Sequence, residues 1–97
     1  MEELLRRPRA MRMLLLLYRR EPGTMNQRQF MEASLHNRQQ AQALREHMRE
    51  QGWIAVRELP GHGNAGILEI RLTPLGRSIA VHLAAIDGIG RAGARVP

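Results

Sequence analysis

The chain contains no cysteine and no lysine, a single aspartate, and one each of phenylalanine, tyrosine and tryptophan. Without cysteine there is no disulfide frame and no thiolate metal site; this suits a reducing compartment, and the expected location is cytoplasmic. Without lysine there is no glycine-rich phosphate loop of the kind completed by one. With so few aromatics, the stacking platforms that hold single-stranded nucleic acid are missing, and RNA is not the expected partner. Long hydrophobic runs are also absent. Residues 13–18 form the longest apolar stretch, far below the ~20 residues that span a bilayer, so no membrane segment is expected. The basic cluster at 6–9 imitates the start of a secretory leader. However, Arg19-Arg20 closes the apolar stretch early and no small-residue cleavage site follows.

What is present suits one small domain. The 97 residues are 43% apolar and 25% charged, with a net charge of +6. Chains of this size bury roughly 60–65% of their unfolded surface. With 13 Leu and 6 Met, the core must be aliphatic. The sequence pI near 11.6 suggests a polyanionic partner.

Periodicity and capping residues order the elements. Residues 2–20 read as a helix whose regular part starts near Pro8, with Pro8 in the first turn. Met11, Leu14, Leu15 and Tyr18 form one stripe, and Met13, Leu16 and Leu17 load another side. Such a helix wants burial on more than one face. Thr24 and Gln27 have capping-box spacing, placing a short helix from there to about Ser34 with Phe30 and Met31 as its apolar contacts. Asn37 and Gln40 repeat the signal for a helix over 38–51, buried along Ala41, Leu44 and Met48 and ended by a left-handed Gly52. The period then becomes that of strands, over 53–58 and 67–72, joined by a glycine-rich loop at 59–66. Thr73-Pro74 opens a last helix with the stripe Leu75, Ile79, Leu83 and Ile86. From Gly88 the stripe ends, so the domain is expected over 1–87 with a flexible tail at 88–97.

Catalytic constellations are not suggested. Ser34 and Ser78 lack a nucleophile-elbow context. His36 and His47 are eleven residues apart, off the spacing of a helical metal pair, and His82 has no carboxylate at ligand spacing. No enzyme activity, cofactor or metal is expected. The informative stretch is 37–45, whose outward residues Arg38, Gln39, Gln40, Gln42 and Arg45 include no acid. Gln pairs with adenine and Arg with guanine in a major groove, and a helix N-terminus tolerates phosphate. An ordinary solvated helix face has the same composition.

Taken in order, these segments resemble a winged helix-turn-helix domain of the MarR-like type. The resemblance is carried by Thr24, Phe30, Ala41, Leu44 and Met48, by the run Met48-Arg49-Glu50-Gln51-Gly52-Trp53-Ile54 stepping into the wing, and by Leu72-Thr73-Pro74-Leu75-Gly76 leading out of it. It covers about residues 10–87. It implies an α+β, mostly helical fold with a three-helix core, a two-stranded wing hairpin and a C-terminal helix. It further implies that Arg38, Gln39, Gln40 and Gln42 read bases. Arg57, His62 and Arg71 lie on or near the wing, and Asn26, Gln27 and Arg28 sit beside the phosphates. Leu35 stands where the family usually has a glycine, and Asn37 is the residue suited to carry part of that bend.

The expected function is sequence-specific binding of double-stranded DNA by a transcriptional regulator. Helix 37–51 would enter the major groove and the 59–66 loop would rest on the backbone. A homodimer is expected through Met13, Leu16, Leu17, Leu75, Ile79, Leu83 and Ile86. Packing of the same residues within one chain would instead leave a monomer. No small-molecule effector is identified by the sequence. Residues 1–20 carry six Arg and two Glu, whereas 36–51 carry three Arg and two Glu. The alternative is therefore a winged helix for protein contacts, with its basic first helix meeting an acidic partner.

Overall fold

The computed structural model describes residues 6–35, 37–60 and 67–95, with side chains to residue 86. The described chain runs α1 (Pro8–Arg20), α2 (Gln27–Ser34), α3 (Arg38–Glu50), β1 (Ile54–Leu59), β2 (Ile67–Leu72) and α4 (Pro74–Arg95). This is the expected mostly helical α+β order, with a single hairpin between α3 and α4.

Pro8 lies in the first turn of α1, where its missing N–H is not needed. The buried stripe of α1 is Ala10, Met13, Leu14 and Leu17, at helical spacing. Met13 and Leu17 are thus core residues of this one chain, not the dimer contacts expected from the sequence. They pack with Phe30, Met48, Ile54, Ile70 and Ala80. Leu16 is half-buried against the same cluster.

The start of α2 also differs from expectation. Its N-cap is Asn26, whose side chain accepts from Gln29 N while the Gln29 side chain accepts from Asn26 N, at 2.8 and 2.9 Å. Thr24 does not serve, because Met25 is held extended by two backbone hydrogen bonds with Ile70. The helix can begin only after that bridge. Asn37 caps α3 as expected, with Gln40 completing the box. The left-handed residue of the turn is Leu35, at φ 58° and ψ 28°, whereas Asn37 is extended.

At its other end α3 closes in a Schellman motif. Gly52, at φ 77°, donates to Arg49 O and Trp53 donates to Met48 O, at 2.9 and 3.0 Å. The strands pair antiparallel from Ile54↔Leu72 to Leu59↔Ile67. Strand alternation puts Ile54, Val56, Ile70 and Leu72 on the core face and Ala55, Arg57, Glu69 and Arg71 on the other.

The hydroxyl of Thr73 joins the wing to α4. It donates to Gly52 O at 2.5 Å and accepts from Gly76 N at 3.0 Å, and the Thr73 N–H donates to Trp53 O. Here α4 lies so close to Trp53 that only glycine fits at position 76. The buried stripe of α4 accordingly runs through Gly76 and Ala80, with Ile79 and Leu83 half-buried beside it. Leu75 and Ile86, expected in that stripe, are exposed. The helical backbone continues to Arg95, past the expected end of the domain at residue 87.

Candidate nucleic-acid interface

In α3, Ala41, Leu44, Arg45 and Met48 point inward, and Arg38, Gln39, Gln40, Gln42 and Ala43 point out. The outward side chains of the first two turns therefore carry one cation and three amides without an acid. Gln40 folds its carbonyl oxygen back onto the Asn37 N–H at 3.3 Å. Among the described residues Arg38 has no acidic partner, in contrast to Arg49, which pairs with Glu46 at 2.7 Å.

Arg45 is not part of this surface. It follows Ala41 by four positions and so falls in the buried stripe. Its guanidinium bonds Gln27 Oε1 at 2.5 Å and reaches Glu46 at 3.2 Å. A nearly buried arginine needs such partners, and here they tie α2 to α3. Gln27 gives its side-chain oxygen to this contact and Asn26 gives its own to the cap, with Asn26 exposed and Gln27 half-buried at the start of α2. Arg28 is outward, in an exposed pair with Glu32 at 3.1 Å. Such pairs contribute little and open readily to a competing anion.

Two arginines outside the expected site shape it from behind. Arg9 donates to the carbonyls of Ser34 and Leu35 at 2.8 and 3.2 Å, and Arg12 to that of Ala33 at 3.3 Å. These are the orphan acceptors of a helix C-terminus, where cations are favourable. The basic excess of α1 is thus partly engaged within the fold. The spacing that could have flagged it is a pair of arginines one turn-edge apart on a helix that must cross α2.

On the wing, Arg57 faces Glu69 in register and pairs with it at 3.2 Å. Arg71 shares that outer face. Glu69 and Arg71 line an open cleft of about 530 Å³ with Glu21, Thr24 and Arg77. Within it, hydrogen bonds from Arg77 hold the Glu21 carboxyl below its ordinary value of 4.5. Glu46 is likewise held low, first by Arg49 and then by Arg45. His62 and the wing tip at 61–66 lie outside the described residues. Among the described residues, no group of three or more His, Asp or Glu could hold a metal ion, and no helix is long and apolar enough to cross a membrane.

Neither a family model nor a curated protein matches the sequence. Solved structures do match the fold. The regulator MepR, described as a transcription regulator of the Staphylococcus aureus multidrug efflux pump MepA, superposes with a TM-score of 0.70 at 13% identity, over 93% of this chain and 65% of that one. A mutant of MepR from a multidrug resistant S. aureus clinical isolate gives 0.74 at 14% identity, over 93% of this chain and 65% of that one. The heme sensor protein PefR from Streptococcus agalactiae, in complex with heme, gives 0.72 at 18% identity, over 92% of this chain and 60% of that one. This chain therefore spans about three-fifths to two-thirds of the length of these solved chains. The arrangement of helices and hairpin is that of a MarR-like winged helix-turn-helix domain.

Proposed function

We propose that the chain binds double-stranded DNA and acts as a transcriptional regulator, with the first turns of α3 in the major groove. The observation that carries this reading is the acid-free outward face of Arg38, Gln39, Gln40 and Gln42, raised on a doubly capped helix start and backed by a buried Arg45. Solved neighbours of the same fold are described as regulators, which supports the same assignment. Arg28 and the wing cations Arg57 and Arg71 supply backbone contacts, as does the 59–66 loop with His62. The rival role of α1 as a basic dock for an acidic protein is weakened by the engagement of Arg9 and Arg12 with α2.

A homodimer accompanies the reading. Leu75 and Ile86 lie eleven positions apart on nearly the same line of α4 and are exposed, with Ile79 between them. Leu83 borders this stripe on α4. Two copies joined along it would read half-sites about one helical turn apart, roughly 10 base pairs centre to centre. Sedimentation that returns only monomer at high concentration refutes this part.

Selection from random duplexes tests the whole reading. An enriched palindrome is expected, and Arg38→Ala is expected to cost about 1–3 kcal/mol and relax preference at one position of the site. Absence of duplex binding even at low salt overturns the assignment and favours the protein-contact role.

A further inference from the structure

The turn between α2 and α3 joins two features found together nowhere else among the described residues. Leu35 is the one described residue other than glycine with a positive φ, and it is also the most exposed large apolar side chain, at 72%. In left-handed backbone the Cβ of an L-residue crowds the following carbonyl, so glycine fits best and asparagine next. An exposed leucine brings no packing to offset that crowding.

The conformation of the turn is fixed from behind. Arg9 and Arg12 hold the carbonyls of residues 33, 34 and 35 in succession, so the backbone is clamped from α1 while the side chain projects into solvent. Leu35 belongs neither to the core nor to the half-buried residues packed against it, so among the described residues little offsets that crowding. Leu35 stands two positions before the cap of α3 and three before Arg38. A surface that meets the first turn of α3 therefore comes within reach of Leu35.

We propose that Leu35 is a contact residue of the duplex complex. Its isobutyl group packs on an apolar part of the DNA, a deoxyribose face or a thymine methyl, beside the first turn of α3. This rests on the reading of α3 given above. The contact is uncharged, so it adds affinity without releasing a counterion.

The test compares the full chain with Leu35→Asn and Leu35→Gly, using the duplex most enriched by selection with the unaltered chain. Both variants relieve the backbone, so thermal midpoints are expected to stay level or rise by a few degrees. Affinity is expected to fall about fivefold, the loss of part of a leucine's burial, with the salt slope unchanged. Replacing the thymines of the site by uracil separates the two DNA partners. If the methyl is the partner, the unaltered chain weakens to the level of Leu35→Asn; if the sugar is, its affinity stays the same. The proposal is overturned if both variants bind as tightly as the unaltered chain, if their midpoints drop, or if their salt slope declines along with affinity. If the unaltered chain binds no duplex at low salt, the reading of α3 falls and takes this proposal with it. Duplex binding that is indifferent to residue 35 removes this proposal alone.

Discussion

Gly76→Ala reverses the usual sign of a glycine-to-alanine change in a helix. At an open helical site the substitution stabilises by about 1 kcal/mol. Here the new Cβ would stand 1.9 Å from the Trp53 carbonyl oxygen, 2.9 Å from its carbon and 3.3 Å from Leu72 Cδ2. The clash is with backbone, so no side-chain rotation relieves it, and α4 must retreat from the Trp53 carbonyl. Overpacking of this kind costs about 1–3 kcal/mol. The same retreat stretches the Thr73 N–H bond to Trp53 O and the Thr73 hydroxyl bond to Gly52 O, each worth about 1 kcal/mol. Set against the helix-propensity gain, the net loss is about 2–4 kcal/mol. For a domain of this size that lowers the thermal midpoint by roughly 10–20 °C. Urea unfolding followed by helical circular dichroism measures it, with Ser78→Ala as an exposed control on the same helix. A midpoint equal to or above that of the unaltered chain would refute the reasoning.

Other substitutions probe the arginine contacts within the fold and the acid response. Arg45→Ala should cost about 1–3 kcal/mol in urea unfolding, because Gln27 loses its charged partner, while relative preference among duplexes stays unchanged. Loss of preference at a single base pair would instead make Arg45 a reader. Arg9→Gln should destabilise by about 1 kcal/mol and speed amide exchange in the last turn of α2; unaltered exchange there would mean that its contacts with Ser34 and Leu35 are incidental. Glu21 and Glu46 are both held below their ordinary value by arginines, so their contribution is full above 4.5 and fades as pH falls through the lowered values. Glu21→Gln should therefore flatten the decline of thermal midpoint in acid, and the two proteins should converge at the lowest pH. Parallel curves would exclude the Arg77 pairing as the cause.

Local signals are legible in the sequence, and distant partners are not. Gly52, the Asn37–Gln40 box, Pro74 and the alternation of 67–72 each specify structure through atoms a few residues away, and the structure agrees with the sequence at all four. Thr24 has a sound capping pattern, yet a bridge from Met25 to Ile70 moves the helix start to Asn26. Arg45 reads as outward because arginine is usually exposed. The 41/44/48 spacing that encloses it argues otherwise, and its partner Gln27 lies 18 residues away. In α4 the buried line passes through Gly76 and Ala80, which carry too little apolar bulk to register as a stripe. The larger Leu75 and Ile86 draw the reading to the solvent side. Within the candidate site, the outward Arg38, Gln39 and Gln42 are legible from composition and spacing. Leu35 stands out in the sequence as an oddity of the turn, but its left-handed backbone depends on arginines from another helix.

The single hydroxyl of Thr73 stands at a crossroads of the molecule. Through it and the neighbouring amides, the last turn of α3, the first residue of the wing and the opening turn of α4 are pinned together within a few ångströms. Such a joint has little freedom to flex. A pull applied at the far end of α4 would consequently tilt the hairpin and α3 as one lever, without reshaping either.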